Sequence, residues 1–121
     1  MAWQFSGGEA VYLQIVRRLR GMILQGQYPP DGQFPSVRQL ATEAAVNPNT
    51  MQKSLACLEE EGLLYTKGTL GRFVTSDKAI LSAAKEKACL EAVREWLCQA
   101  KQMGISPEEL IEYIKKEADA T

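Results

Sequence analysis

Apolar residues near the start of the chain recur at every fourth position. Val11, Ile15, Leu19 and Ile23 form one stripe, and the neighbouring arginines fall mostly away from it. This spacing predicts an amphipathic helix that turns one side toward a core. Gly26 follows the stripe and suits the end of a helix, so we expect the first helix to span roughly residues 10–25.

Capping residues predict two further helices. The Ser36 hydroxyl can accept a bond from a free backbone N–H, so the second helix is expected to run from Ser36 to about Ala45. Asn47 suits the cap of the third helix, and Pro48 suits its first position, where a missing N–H costs nothing. The inward side of the third helix is predicted to consist of Met51, Leu55 and Leu58.

A hairpin is predicted after the third helix. Residues 63–66 and 72–75 are short strand candidates, and the loop 67–71 between them contains two glycines. Three helices followed by a hairpin is the order of a winged helix-turn-helix.

The helical pattern returns in the last third of the chain. Residues 78–102 are predicted to form one long helix, and a capping box at Ser106 with Pro107 opens a final helix. The expected fold is mostly α with a small β wing. It comprises an N-terminal winged helix-turn-helix over residues 1–76 and a two-helix C-terminal tail over residues 77–121.

The apolar residues of this tail are predicted to form a dimer interface. Two helices of this size bury little surface by themselves, so their apolar sides need another partner. The alternative is that these residues are plain intramolecular core. The predicted dimerisation residues are Ile80, Leu90, Val93, Trp96, Leu97, Leu110, Ile111 and Ile114.

Composition excludes several classes of protein. The 121 residues include no histidine, and Cys57, Cys89 and Cys98 share no CxxC spacing. We therefore predict no metal site, no cofactor, no disulfide framework and no enzyme. The cysteines are expected to be buried thiols; the alternative makes Cys89 or Cys98 an oxidant sensor at the dimer interface. No apolar stretch reaches the roughly eighteen residues of a membrane helix, and the N-terminus lacks signal-peptide features, so we expect a cytoplasmic protein.

The charge of the chain does not by itself indicate a nucleic-acid partner. Fourteen basic and fifteen acidic residues give a net charge of −1. The local placement of charge must therefore decide whether DNA is bound. The near-neutral balance also supports an alternative, a winged-helix protein-interaction module without DNA binding.

Several runs resemble one family when they are taken in order. Residues 34–41 read Phe-Pro-Ser-Val-Arg-Gln-Leu-Ala, residues 46–50 read Val-Asn-Pro-Asn-Thr, and residues 71–74 read Gly-Arg-Phe-Val. With their spacing over residues 11–74, they resemble the GntR family of bacterial transcription regulators. The short tail is similar to the family's short, YtrA-like branch.

The resemblance implies a function and also shows departures. It implies a dimeric repressor that binds a palindromic operator, often in operons that encode transporters of the ABC type, with no effector identified. Pro48 stands where typical members carry a basic or small polar residue. Thr69 replaces the usual first glycine of the wing, and Arg72 takes the place of a small polar residue.

We expect the start of the third helix to contact base edges in the major groove of double-stranded DNA. Arg38 would hold a phosphate or reach the groove, and the wing would contact the backbone or minor groove. The predicted DNA-binding residues are Ser36, Arg38, Asn47, Asn49, Thr50, Gln52, Lys53, Lys67, Thr69 and Arg72.

Each of these assignments has an alternative. Arg38 can instead pair with Glu43. The polar residues at the start of the third helix can serve only as caps. Lys67 and Arg72 can be solvated hairpin residues.

Overall fold

The computed structural model describes residues 2–121, and within them the fold is mostly α-helical with one small antiparallel sheet. This confirms the predicted fold class. The elements are α1 (Val11–Leu24), α2 (Val37–Ala44), α3 (Pro48–Glu60), β1 (Leu64–Thr66), β2 (Arg72–Val74), α4 (Lys78–Gln102) and α5 (Pro107–Ala120).

The chain divides into two compact units. The first unit ends at Ala83 and the second spans Ala84–Thr121, so the division falls inside α4. In the first unit, α1 and α2 both pack against α3. Fully burying a large apolar side chain stabilises a fold by roughly 1.5–3 kcal/mol, and the core of this unit has nine of them: Ile15, Leu19, Leu40, Met51, Leu55, Leu58, Leu63, Leu64 and Val74.

The helix starts follow the predicted capping chemistry. The Ser36 hydroxyl accepts from the backbone N–H of Gln39 at 3.1 Å, and the Gln39 side chain accepts from the backbone N–H of Ser36 at 2.9 Å. Ser106 and Glu109 form the same reciprocal pair at the start of α5. These bonds satisfy backbone donors that an uncapped helix leaves without partners.

The turn between α2 and α3 depends on a left-handed alanine. Ala45 has φ of 59°, and Val46 then donates its backbone N–H to the Ala41 carbonyl at 3.0 Å. Glycine is the usual residue here, because an L side chain in this region crowds its own backbone.

The hairpin is anchored by one buried cross-strand pair. Leu64 faces Val74 across the sheet and both are buried, while Tyr65 faces Phe73. The turn before α2 also joins the sheet, since Asp31 donates its N–H to the Val74 carbonyl at 2.8 Å and Phe34 donates to the Arg72 carbonyl at 2.8 Å.

The segment before α1 is packed in a way that the sequence pattern did not predict. Trp3 is buried and its backbone N–H donates to the Ala44 carbonyl at 3.4 Å. The Arg18 guanidinium carbon lies 4.3 Å from the centroid of the Trp3 ring. A lone tryptophan has no periodicity, so no pattern indicates its burial.

The second unit leaves many large apolar side chains exposed. Seven of them are Leu90, Trp96, Leu97, Met103, Ile111, Tyr113 and Ile114. Ile80, which was predicted to dimerise, lies in the first unit, where a Cβ built on Gly62 would stand 3.3 Å from its Cδ1 atom. Cys89 and Cys98 are exposed thiols and Cys57 is half-buried, so the prediction of buried cysteines is wrong. In residues 2–121, no helix has the length and apolar character of a membrane span.

The strain at Ala45 gives a test of the turn. Replacing Ala45 with glycine should raise the free energy of unfolding by about 0.5–1 kcal/mol, because glycine adopts positive φ without steric cost. The matched control, Ala56→Gly, is an exposed alanine inside α3, where glycine should destabilise by about 1 kcal/mol. Urea denaturation measures both, and effects of the same sign would contradict the assigned turn.

Candidate nucleic-acid interface

The exposed side of α3 carries a row of polar side chains. Asn49, Gln52 and Lys53 are exposed, whereas Met51 and Leu55 are buried. Residues three and four apart share one side of a helix, so the three polar residues lie together. Ala56, which sequence reasoning did not include, is exposed at the next position of the same row.

The start of α3 combines capping with exposure. The Asn47 side-chain oxygen accepts from the Asn49 backbone N–H at 2.7 Å, and Pro48 occupies the first turn. Asn47 is itself exposed. Because the cap occupies only the side-chain oxygen, the amide NH₂ group remains to donate to another molecule. Capping and DNA contact are therefore compatible at Asn47.

The start of α2 presents one arginine. Arg38 is exposed, and in residues 2–121 it forms no salt bridge with Glu43 or another carboxylate. The alternative of a surface pair with Glu43 therefore finds no support. Ser36 precedes it, but its hydroxyl accepts from Gln39 and its backbone N–H donates to the Gln39 side chain, so a further contact by Ser36 to a phosphate would use the hydroxyl proton.

The wing loop is a single 3-10 turn that begins at one glycine and is followed by another. The turn spans Gly68–Leu70, with φ of 53° at Gly68 and 108° at Gly71. Thr69 stays out of the positive-φ region, which Gly68 and Gly71 on either side of it occupy. The Gln33 side chain donates to the Leu70 carbonyl at 2.7 Å and holds the loop.

The two cations of the wing have different surroundings. The Lys67 ammonium is exposed, 5.7 Å from the centroid of Phe73. The Arg72 guanidinium forms an ion pair with Glu59 at the end of α3, and Thr66 donates to the same carboxylate oxygen at 3.0 Å. Arg72 therefore links the wing to α3. The alternative that Arg72 is a solvated hairpin residue does not hold.

The acidic end of α3 is also paired. Besides the Glu59 pair, Glu61 accepts two bonds from Arg20 of α1, at 2.9 and 2.6 Å. Such pairing could not be predicted from spacing, because the partners come from elements far apart in sequence. The paired carboxylates lie at the C-terminal end of α3, whereas the polar row begins at its N-terminal end.

A cleft of about 720 Å³ lies between the start of α2 and the wing. Three predicted site residues line it, namely Ser36, Thr69 and Arg72, together with Gln39 and Thr66. The structure thus brings these three together. The predicted residues of α3 lie outside this lining.

Two tyrosines near the interface have raised pKa values. The hydrogen bond that Tyr65 donates to Asp31, at 2.9 Å, raises the pKa of Tyr65, with smaller contributions from burial and from the Asp31 charge. Burial, and secondarily the charge of Glu43, raises the pKa of Tyr28. Both phenols therefore stay neutral near pH 7, and Tyr65 remains a donor that ties the hairpin to the turn before α2.

Sequence reasoning missed three residues that hold the interface. Gln33 supports the wing loop, Gln39 completes the Ser36 cap, and the Tyr12 ring lies 3.9 Å from the Lys53 ammonium. Only Gln39 had a signal, since Ser-x-x-Gln is a form of the capping box. The other two contacts depend on tertiary packing.

Comparison with protein families agrees with this geometry. Residues 11–74 match the family described as bacterial regulatory proteins, gntR family. The matched segment runs from the start of α1 to the end of β2, so it covers every element of the candidate interface.

Two relatives from Bacillus subtilis are similar over most of their length. The uncharacterized HTH-type transcriptional regulator YhcF is 31% identical over 112 residues, which cover 93% of this chain and 93% of that protein. The HTH-type transcriptional repressor YtrA is 33% identical over 107 residues, covering 88% of this chain and 82% of YtrA.

Solved structures extend the similarity to the fold. A GntR family transcriptional regulator from Listeria monocytogenes has a TM-score of 0.85 and 31% identity, covering 93% of this chain and 98% of that one. The DNA-binding domain of AraR in complex with operator ORX1 has a TM-score of 0.53 and 28% identity, covering 60% of this chain and 93% of that one.

The ion pair of Arg72 predicts a role in stability. Arg72→Gln should lower the free energy of unfolding by about 1 kcal/mol, because it leaves a partly buried carboxylate without its charged donor. Arg17→Gln is the matched control, since Arg17 pairs with Glu9 where the two side chains are 62% and 36% exposed, and its effect should be below about 0.5 kcal/mol. Equal losses in urea denaturation would mean that the Arg72 pair adds no more than a surface pair.

Proposed function

Because this chain belongs to the GntR family of bacterial transcription regulators, we propose that it represses transcription as a homodimer on a palindromic operator. The observation that carries this proposal is the exposed polar row of α3, together with the exposed Arg38 in the first turn of α2. The repressor name of the relative YtrA and the operator complex of AraR agree with it. Binding to operator DNA places the protein in the cytoplasm.

The polar row would read bases in the major groove. The side-chain amides of Asn49 and Gln52 can each donate to and accept from one adenine edge. Asn47 has its amide NH₂ free of the cap, and half-buried Thr50 would add a hydroxyl contact. Lys53 supplies a positive charge to the same surface.

The remaining contacts would position the protein on the phosphate backbone. Arg38 and Ser36 lie at the start of α2, and the cleft that Ser36 lines with the wing would receive a strand of the backbone. Lys67 and Thr69 would follow the backbone or minor groove from the exposed loop. Arg72 contributes mainly by holding the wing through Glu59.

The apolar residues of the second unit would form the dimer interface. Exposed apolar side chains concentrated in a unit of 38 residues are typical of an interaction surface. A two-fold dimer would place two α3 helices on half-sites separated by whole helical turns. The interface residues are Leu90, Val93, Trp96, Leu97, Leu110, Ile111 and Ile114; Ile80 differs because it packs at Gly62.

Repression would follow from steric exclusion of polymerase at the occupied operator. The resemblance to the YtrA-like branch favours a transporter operon as the target. We assign no effector.

Arg38→Ala gives the sharpest test of DNA recognition. The probe is the duplex that the wild-type protein enriches from a random-sequence library. Arg38→Ala should weaken binding to this duplex by roughly 1–3 kcal/mol without unfolding the protein, as expected for a lost specific contact. Arg17→Ala, which removes an exposed guanidinium already paired with Glu9, should leave the affinity within about twofold, since exposed pairs contribute little.

Two results would contradict the proposal at different levels. Unchanged binding by Arg38→Ala in a gel-shift titration would remove Arg38 from the interface. A wild-type protein that enriches no duplex would favour a protein-interaction module without DNA binding.

Leu97→Glu combined with Ile114→Glu tests the dimer. The two carboxylates would be buried without partners, which disfavours association strongly. Light scattering should therefore give the mass of one chain at micromolar concentration, with the helical circular dichroism unchanged. Gln99→Glu, which adds a charge at an exposed position of α4 outside the predicted set, should remain dimeric. A dimeric double variant would place the interface elsewhere.

A further inference from the structure

The ammonium of Lys53 lies over an aromatic ring of another helix. Its Nζ atom is 3.9 Å from the centroid of Tyr12, which lies in the first turn of α1. This distance is within the range of a cation–π interaction. Lys53 is exposed on the polar row of α3, and exposed lysines ordinarily sample many rotamers. Contact with the ring restricts the positions that the Lys53 ammonium occupies.

A buried hydroxyl fixes the backbone beneath this contact. Ser54 is completely buried, and its Oγ atom lies 2.9 Å from the Tyr12 carbonyl oxygen and 3.1 Å from that of Thr50. The single hydroxyl proton can donate to one of these carbonyls at a time. When it donates to Tyr12, Ser54 links α3 to the first turn of α1 at the residue beside Lys53. The ring and the ammonium are therefore held on neighbouring, connected backbone.

The partner of Lys53 is neutral, unlike the partners of several arginines. In residues 2–121, the salt bridges of the structure join Arg17, Arg20 and Arg72 to carboxylates and do not include Lys53. A carboxylate would compete with a phosphate for the same cation. An aromatic face orders the ammonium but leaves its full charge and its outward N–H groups to an anion.

We infer that Tyr12 is a positioning residue that holds the Lys53 ammonium beside α1 for a DNA phosphate, so that Lys53 contacts the backbone and not a base edge. The inference rests on the proposed DNA binding.

A double-mutant cycle tests this coupling. Tyr12→Leu, Lys53→Gln and their combination are titrated with the duplex selected by the wild type and with a random-sequence duplex, over a series of salt concentrations. Lys53→Gln should weaken binding to both duplexes by the same factor and reduce the salt slope by about one. Tyr12→Leu should weaken binding about two- to fivefold, and it should add no loss to Lys53→Gln.

Two control variants and a second measurement separate the ring from other effects. Tyr12→Phe keeps the ring and should bind like the wild type. Lys85→Gln removes an exposed lysine of α4 and should leave the salt slope unchanged. Should Tyr12→Leu fail to fold, proton NMR of the wild type is a second measurement, because the ring should shift the Lys53 ε-methylene protons upfield.

Several outcomes would overturn the inference. Additive losses from Tyr12→Leu and Lys53→Gln would show that Tyr12 does not act through Lys53. Equal losses in Tyr12→Phe and Tyr12→Leu would assign the effect to the hydroxyl. Relaxed preference at one base pair in Lys53→Gln would make Lys53 a base reader, and unshifted ε protons would exclude the ring contact. A wild type that binds neither duplex would overturn the proposed function, and this inference with it.

Discussion

Burial of one side of α3 determines what the rest of the first unit can do. Met51, Leu55 and Leu58 are wholly removed from solvent against α1 and α2. Burying three large apolar side chains stabilises this orientation by several kcal/mol, on the order of 1.5–3 each, so rotation of α3 about its axis is strongly opposed. The polar row of Asn49, Gln52 and Lys53 faces solvent because the opposite, apolar side of α3 is held in the core.

Ion pairs within the protein determine which basic side chains are available to bind a polyanion such as DNA. Arg20 and Arg72 are bound to the carboxylates at the end of α3, and Arg17 is bound to Glu9. These pairs connect α1, α3 and the wing, and they lower the charge that those arginines offer to a phosphate. Within residues 2–121, Arg38, Lys53 and Lys67 form no salt bridge, and each is exposed. The distribution of partners, and not the number of basic residues, therefore shapes the electrostatic surface.

Local chemistry made much of the fold predictable, and tertiary contacts made the rest inaccessible. Ser36, Asn47 and Ser106 mark helix starts because their capping bonds join residues two or three apart in sequence. The 3-10 turn of the wing, the burial of Trp3 and the packing of Ile80 at Gly62 depend on partners distant in sequence. The sequence indicated which polar residues of α3 are candidates for DNA contact. The ion pair of Arg72 and the ring contact of Lys53 could be found only in the three-dimensional structure.

The near-neutral charge of the chain also constrains how it would bind DNA. A protein with a net charge of −1 gains little from long-range attraction, so its affinity must come from cations placed at contact distance. Ordering a lysine on a neutral ring lowers the entropic penalty of such a contact without cancelling the charge. A two-fold dimer doubles each contact on a single DNA molecule. In the proposed dimer, a few cations used twice would take the place of a strongly basic surface.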